Sequence, residues 1–162
     1  VQDTHQVRPL LEKIKDGSGL PTDLKWAWSA KPLAGMDNSA FGLYALRIVK
    51  GKPEITGEVV TKAFVSNNLN EQPAVQITMN REGADNWLKM TTANQGRQIA
   101  MVIDGAVYSA PYVQEPISGG STQITGNFTK QEIKELAAAL NAGNLPGRAV
   151  IIGEEEKSES SK

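Results

Sequence analysis

The chain reads as an α+β domain: a mainly antiparallel sheet, two principal helices packed on one face, and a short N-terminal helix. Three observations predict this class. Strand-like alternation recurs in short runs bounded by turn residues. Two helical segments carry both a start and a stop signal. The helices do not follow every strand, as a parallel sheet of βαβ units would require.

The first helix starts near Arg8, with Pro9 at the position where a missing N–H does no harm. Leu10, Leu11 and Ile14 share a face, and Asp16, Gly17, Gly19 and Pro21 end it. Residues 24–29 alternate, placing Leu24, Trp26 and Trp28 together. In 43–49, Tyr44, Leu46 and Ile48 share a face and Arg47 points away; the Gly, Pro and Asn content of 30–42 predicts a loop between. Lys50-Gly51-Lys52-Pro53 is a turn. Ile55-Thr56-Gly57-Glu58 predicts a tight corner into a helical turn over 59–62, and 63–66 reads as extended. Asn67, Asn68, Asn70 and Pro73 mark the next turn. Val75, Ile77 and Met79 then alternate with Gln76 and Thr78, a strand with one dry and one wet face.

Asn80 is the N-cap of a helix in which Ala84, Trp87, Leu88 and Thr91 recur at helical spacing and which Gly96 ends. Residues 99–103 are apolar on both faces, as a central strand requires. Asp104-Gly105 predicts a type I′ hairpin, because both positions need positive φ, and the chain returns over 106–109. Gly119-Gly120 reverses it again into a strand over 122–125. Thr129 and Glu132 form a capping box; Ile133, Leu136, Ala137 and Leu140 are the buried stripe behind it. Gly143 and Pro146 stop this helix, and 149–152 is the last strand. One domain over 1–153 is expected, followed by a disordered acidic tail over 154–162 with no apolar anchor.

Composition excludes more than it proposes. The chain is 40% hydrophobic and 22% charged over 162 residues, enough for one domain with its own core. The net charge is −1, and the tail's four Glu and two Lys leave the body at +1, so no field recruits nucleic acid or anionic lipid. There is no cysteine, hence no disulfide, thiolate metal site or Cys nucleophile. A Ser-His-Asp triad would have to use His5, the single histidine. No cofactor is expected. No apolar run approaches the ~20 residues of a membrane-spanning helix, and the start VQDTHQVRPLL lacks the pattern of a signal peptide. An extramembrane domain cut from a membrane protein would read the same.

Several motifs stand in a fixed order: Ile55-Thr56-Gly57-Glu58, Gln72-Pro73-Ala74-Val75, Glu82-Gly83-Ala84, and Thr92 with Asn94 and Gly96. Arg97 to Asp104, Val107-Tyr108-Ser109-Ala110-Pro111, Ile117 to Thr129 and Leu140 to Pro146 complete the series. Together, over 51–146, they resemble the large periplasmic loop of the SecD/SecDF protein-export family. Residues 20–50 agree more loosely, and DLKWAWSAKP resembles the branch that fuses both export subunits in one chain. Asn141 and Asn144 depart from the pattern, which has Arg and Ala there; GRAVIIGEEEKSESSK does not resemble the segment leading to the next membrane helix.

The resemblance implies the head of the first large periplasmic domain, on the outer side of the bacterial inner membrane. Its partners would be the translocating unfolded preprotein, the Sec translocon channel and the SecF part. The family's proton-carrying acidic residues lie in membrane helices that this stretch does not contain. A non-enzymatic gripping part of a proton-driven export machine is therefore implied, rather than its motor.

Tyr108, Pro111, Tyr112, Val113 and Pro116 are the candidate contact residues. Two readings stay open. An aromatic, proline-rich edge can add a strand to an extended polypeptide or pack on it; alternatively, Tyr108 and Val113 fill the core. Trp26 and Trp28 read as a buried pair under the sheet, with polypeptide contact as the alternative. Asp104 is assigned to its turn, and Thr129 and Glu132 to their cap. The glycine turns match no phosphate-binding pattern. The competing functions are a stand-alone domain of this fold that binds a fixed ligand, and a hydrolase using Asp104 or Glu132.

Overall fold

The computed structural model describes Val7, Pro9, Leu11, residues 21–33, 40–48 and 55–142, and the backbone of 149–153. Val7, Pro9 and Leu11 are helical. The remainder of the expected first helix, the stop at Gly143 and Pro146, Asn144 and the tail over 154–162 lie outside the described residues.

Strands β1 (Leu24–Pro32), β2 (Phe41–Arg47) and β3 (Ile55–Thr56) come first, followed by a 3₁₀ turn over Gly57–Val59. Then come β4 (Val60–Asn67), β5 (Pro73–Met79) and helix α1 (Arg81–Ala93). After α1 run β6 (Ile99–Ile103), β7 (Ala106–Ser109), β8 (Ser121–Ile124), helix α2 (Lys130–Ala142) and β9 (Ala149–Gly153). The class is α+β, with mainly antiparallel pairing. The strands divide between two sheets, of order β2-β1-β7-β6-β9-β3 and β4-β5-β8. Only β1 and β7 run parallel among the described strands, with Trp28 opposite Ala106.

Strand β6 explains the layering. Its five residues are all buried, as the apolar run 99–103 requires of a strand covered on both faces. Ile99, Met101 and Ile103 enter the main core with Val75, Ile77 and Met79 of β5, Trp87 and Met90 of α1, and the α2 stripe. Ala100 and Val102 enter a smaller cluster with Ala27, Leu46 and Val107 on the other face. All four expected stripe residues of α2 are buried, Ile133 completely.

Four local expectations need correction. The helical turn at the corner is 57–59 rather than 59–62, so β4 runs the full length of its hairpin with β5. Residues 30–32 continue β1 through a bulge instead of opening a loop. Buried Ser29 makes this possible: its hydroxyl donates to the Lys31 carbonyl and accepts from the Gly42 N–H at 2.9 Å. The alternation in β1 is right, but the buried residues are Ala27 and Ser29, while Trp26 and Trp28 are half-buried opposite Ala45 and Leu43. In α1 the buried face holds Gly83, Trp87, Met90 and Thr91, which leaves Leu88 exposed.

Three of the sequence motifs meet at the start of α1. Asn80 caps the helix, its side chain accepting the Gly83 N–H at 2.8 Å, while its own N–H donates to the Val59 carbonyl at 2.8 Å. A Cβ at Gly83 would lie 2.7 Å from Cβ of Val59, in the 3₁₀ corner. A Cβ at Gly120 would lie 2.6 Å from Cβ of Ala84, and Gly120 has φ +65°. Its carbonyl also accepts the Met79 N–H at 2.8 Å. Gly105, by contrast, has φ +81° with open space around it.

Gly120→Ala should therefore combine backbone strain with a packing clash and cost about 2–4 kcal/mol, whereas Gly105→Ala should cost only about 1 kcal/mol of strain. Urea unfolding midpoints of the two variants test this; equal losses would contradict the packing argument.

Candidate functional site

The stretch from β7 to Gly120 presents the candidate residues very differently. Tyr108 and Tyr112 are 36% and 49% exposed, Pro111 and Pro116 are exposed, and Val113 is buried at 7%. The cause is backbone pairing with the loop after α1. Gly96 donates to the Val113 carbonyl and Val113 to the Arg97 carbonyl, both at 2.9 Å, and Ile99 donates to the Pro111 carbonyl at 3.1 Å. Gln98 Nε2 donates to the Ala110 carbonyl at 2.7 Å. This lattice turns Val113 inward to the main core and Tyr112 outward. Val113 thus fills the core, while Tyr108 does not.

Strand β7 lies between β1 and β6, pairing with β1 at Ala106 and Val107 and with β6 at Ala106, Val107 and Ser109. A strand added along β7 would have to displace β1 or β6, so Tyr108, at the register shift, offers chiefly its exposed side chain. Nor do the candidates converge on one cavity. Tyr108 lines a groove of ≈ 320 Å³ between the tip of the β6–β7 hairpin and α2, with Lys31, Ile103, Asp104, Glu132, Glu135 and Leu136. Pro111 lines a separate, narrow cleft of ≈ 50 Å³ between the two sheets, with Trp87, Met101 and Ile124.

One rim of the groove is the start of α2, where the expected capping box is formed. Glu132 Oε2 accepts from Thr129 N at 2.7 Å and from Thr129 Oγ1 at 2.8 Å, and Thr129 Oγ1 accepts from Glu132 N at 3.3 Å. Lys31 of β1 adds a salt bridge to the same carboxylate oxygen. Its ammonium also donates to the Asn127 carbonyl at 3.2 Å and lies 4.6 Å from the Phe128 ring centroid. The Lys31 hydrogen bond first, then the two from Thr129, hold the Glu132 carboxyl down at about 2. A carboxylate so engaged is a structural anion, not a proton carrier at neutral pH.

Asp104 sits at φ +50° before Gly105 in the expected hairpin turn. Both acidic residues considered for hydrolysis therefore have structural work. Among the described residues, no group of three or more His, Asp or Glu is placed to hold a metal. No described helix is long and apolar enough to cross a membrane.

Two residues carry roles that spacing alone did not expose. Thr91 is fully buried: its hydroxyl donates to the Trp87 carbonyl at 2.8 Å and accepts the Ile117 N–H at 3.0 Å. It is Thr91 rather than the motif's Thr92 that ties α1 to the Pro116–Gly120 segment. Asn141 pairs through its side-chain amide with β4, accepting from Ala63 N at 2.8 Å and donating to Ala63 O at 2.7 Å. Its departure from the motif series was the only signal.

A family model for the SecDF P1 head subdomain matches residues 40–147. The protein translocase subunit SecD of Rhodothermus marinus is 40% identical over 152 residues, covering 94% of this chain and 24% of that protein. SecD of Dictyoglomus turgidum is 43% identical over 102 residues, covering 63% of this chain and 26% of that protein. The chain spans about a quarter of the length of the curated relatives it matches. A crystal structure of SecDF in a super-membrane-facing form has a TM-score of 0.56 at 25% identity, covering 90% of this chain and 18% of the other. A structure of SecDF, described as a membrane component that enhances protein export, shares the fold at a TM-score of 0.56 and 21% identity. It covers 92% of this chain and 73% of that one.

Thr129→Ala should lower stability by about 1 kcal/mol through loss of the cap. The Glu132 contribution has a defined pH range. Its folded value lies below the ordinary 4.5, so the carboxylate stabilises above that pH and the effect is lost as pH falls through about 2. The stability gap between wild type and Glu132→Gln should accordingly narrow across that interval in thermal melts; a gap independent of pH would contradict the assignment. Asn141→Ala should cost about 1–2 kcal/mol by removing two hydrogen bonds, with faster amide exchange at Ala63 as its local signature.

Proposed function

Because this chain belongs to the SecDF P1 head subdomain family, we propose that it is the head of the first periplasmic domain of a SecD-type translocase subunit, and that it transiently contacts unfolded polypeptide during export. The domain occupies 1–153 in this reading. It works on the outer side of the inner membrane beside the Sec channel and the SecF part, and the proton-motive force acts through membrane segments elsewhere in the full-length protein. The observation that carries the proposal is the family match, which runs from β2 to α2.

The surface chemistry supports transient contact. A binder of many clients cannot demand particular side chains, and it must release each segment quickly. The exposed rings of Tyr108 and Tyr112 offer apolar area with little rotamer freedom to lose. The groove beside Tyr108 mixes apolar Ile103 and Leu136 with a charged rim, a surface that contacts extended chain without enclosing it. Contacts of this size suit weak, fast exchange. The structural duties of Asp104 and Glu132 favour a non-enzymatic role.

A photoreactive residue placed at position 112 of the full-length protein in cells should crosslink to a chain arrested during export. In vitro, titrating an unfolded polypeptide should shift the NMR signals of Tyr108, Tyr112 and their neighbours. Absence of both the crosslink and any binding would overturn the reading.

A further inference from the structure

We propose that the outer edge of β4, at Val65 to Asn67, is a strand-addition site for an extended, uncharged polypeptide segment. This rests on the reading that the domain handles unfolded polypeptide. Strand β4 has β5 on one side and no described strand on the other. The register of the hairpin fixes which groups face outward. Asn68 N donates to the Gln72 carbonyl, and Asn68 and Gln72 continue the same pairing series as Ser66 with Ala74 and Phe64 with Gln76. Even-numbered residues of β4 therefore bond to β5. Ala63 and Val65 present their N–H and C=O groups to the free side, and Asn67 its N–H; the Asn67 carbonyl already accepts from Gln123 Nε2 of β8 at 3.1 Å.

At Ala63 this side is occupied. The Asn141 amide supplies a donor and an acceptor at 2.7 and 2.8 Å, the two bonds that a peptide unit of a neighbouring strand would make. The first half of the edge carries further guards: a register shift between Val60 and Lys62, and the charge of Lys62. The second half has no register shift and no charged residue of its own, and of its outward groups the Asn67 carbonyl alone is engaged, by the Gln123 amide. Two residues beyond Ala63, the N–H and C=O of Val65 have no partner among the described residues. The side chains around them are apolar and in water: Phe64 is 41% exposed, Val65 46%, and Leu69 wholly so at the hairpin tip. The stretch 64–70 contains no charged residue, and the nearest β4 charge, the Lys62 ammonium, is held over the Phe64 ring at 5.2 Å from its centroid.

The tip is held in shape, since Asn68 Oδ1 accepts from both Asn70 N and Gln72 N at 2.9 Å. An edge half protected and half open, with a side-chain amide already standing in for a peptide group, specifies backbone as the ligand. Main-chain pairing of this kind accepts many sequences. The site lies across the three-stranded sheet from β8, whose own far side adjoins Ser109 through its bond to the Thr125 carbonyl. It is thus distinct from the Tyr108–Pro116 surface.

The test uses reduced, carboxymethylated α-lactalbumin as an unfolded probe. It should slow amide exchange at Val65 and Asn67 in the wild-type chain. Val65→Pro removes an outward N–H without removing a bond to β5, and should weaken binding at least tenfold. Protection confined to Tyr108–Pro116, with Val65→Pro binding as well as wild type, would overturn this site and leave the proposed function standing. No binding at all would overturn this site, and the proposed function with it only if the position-112 crosslink in cells were absent as well. A concentration-dependent dimer abolished by Val65→Pro, without protection by the probe, would assign the edge to a second copy instead. The exchange measurement needs no variant, so the test survives if Val65→Pro fails to fold.

Discussion

The first turn of α1 approaches its neighbours at backbone distance. A Cβ at Gly83 would meet Val59, and one at Gly120 would meet Ala84. Only a chain with glycine at both places can bring the 3₁₀ corner, the helix start and the Gly119-Gly120 turn together. That closeness lets Asn80 and Gly120 complete the hydrogen bonds that orient α1 against β5. Helix α1 then places Trp87 and Met90 over Ile99 and Met101, and the main core follows. The ordered motifs are therefore largely a record of one tight junction.

Much of this was legible in the sequence because it was local. Caps announce themselves by residue type and spacing, as Asn80, Thr129 and Glu132 did. So do turns that need positive φ, as at Asp104-Gly105, and strands buried on both faces, as in β6. What failed was mostly non-local. Alternation in β1 identified two faces but could not rank them: Ala27 is buried because Leu46, Val102 and Val107 close over it. Likewise helical spacing in α1 fits a stripe through Leu88 as well as one through Met90, and only the position of β6 decides between them. The β1 bulge depends on Ser29 meeting Gly42 across the hairpin, a contact that no window of sequence contains.

The candidate surface was legible in kind more than in detail. Aromatic and proline residues beside the hairpin are indeed mostly exposed. The sequence could not show that β7 is interior to its sheet, because its parallel neighbour β1 lies some eighty residues earlier. Asn141 stood out as a departure from the motif series, but nothing in that departure said it would lie against β4. Both facts come from tertiary placement, and both change which backbone groups are free.

The sheet order β6-β9-β3 has a consequence for how the domain is made. Strand β9 comes last along the chain among the described strands, yet it lies inside the sheet and gives β3 its only strand partner there. During synthesis from the ribosome, β6 and β3 must wait with unpaired borders until β9 emerges. Such high contact order slows closure and leaves apolar strands open to wrong partners meanwhile. A nascent chain halted just before residue 149 would be a natural client for a chaperone.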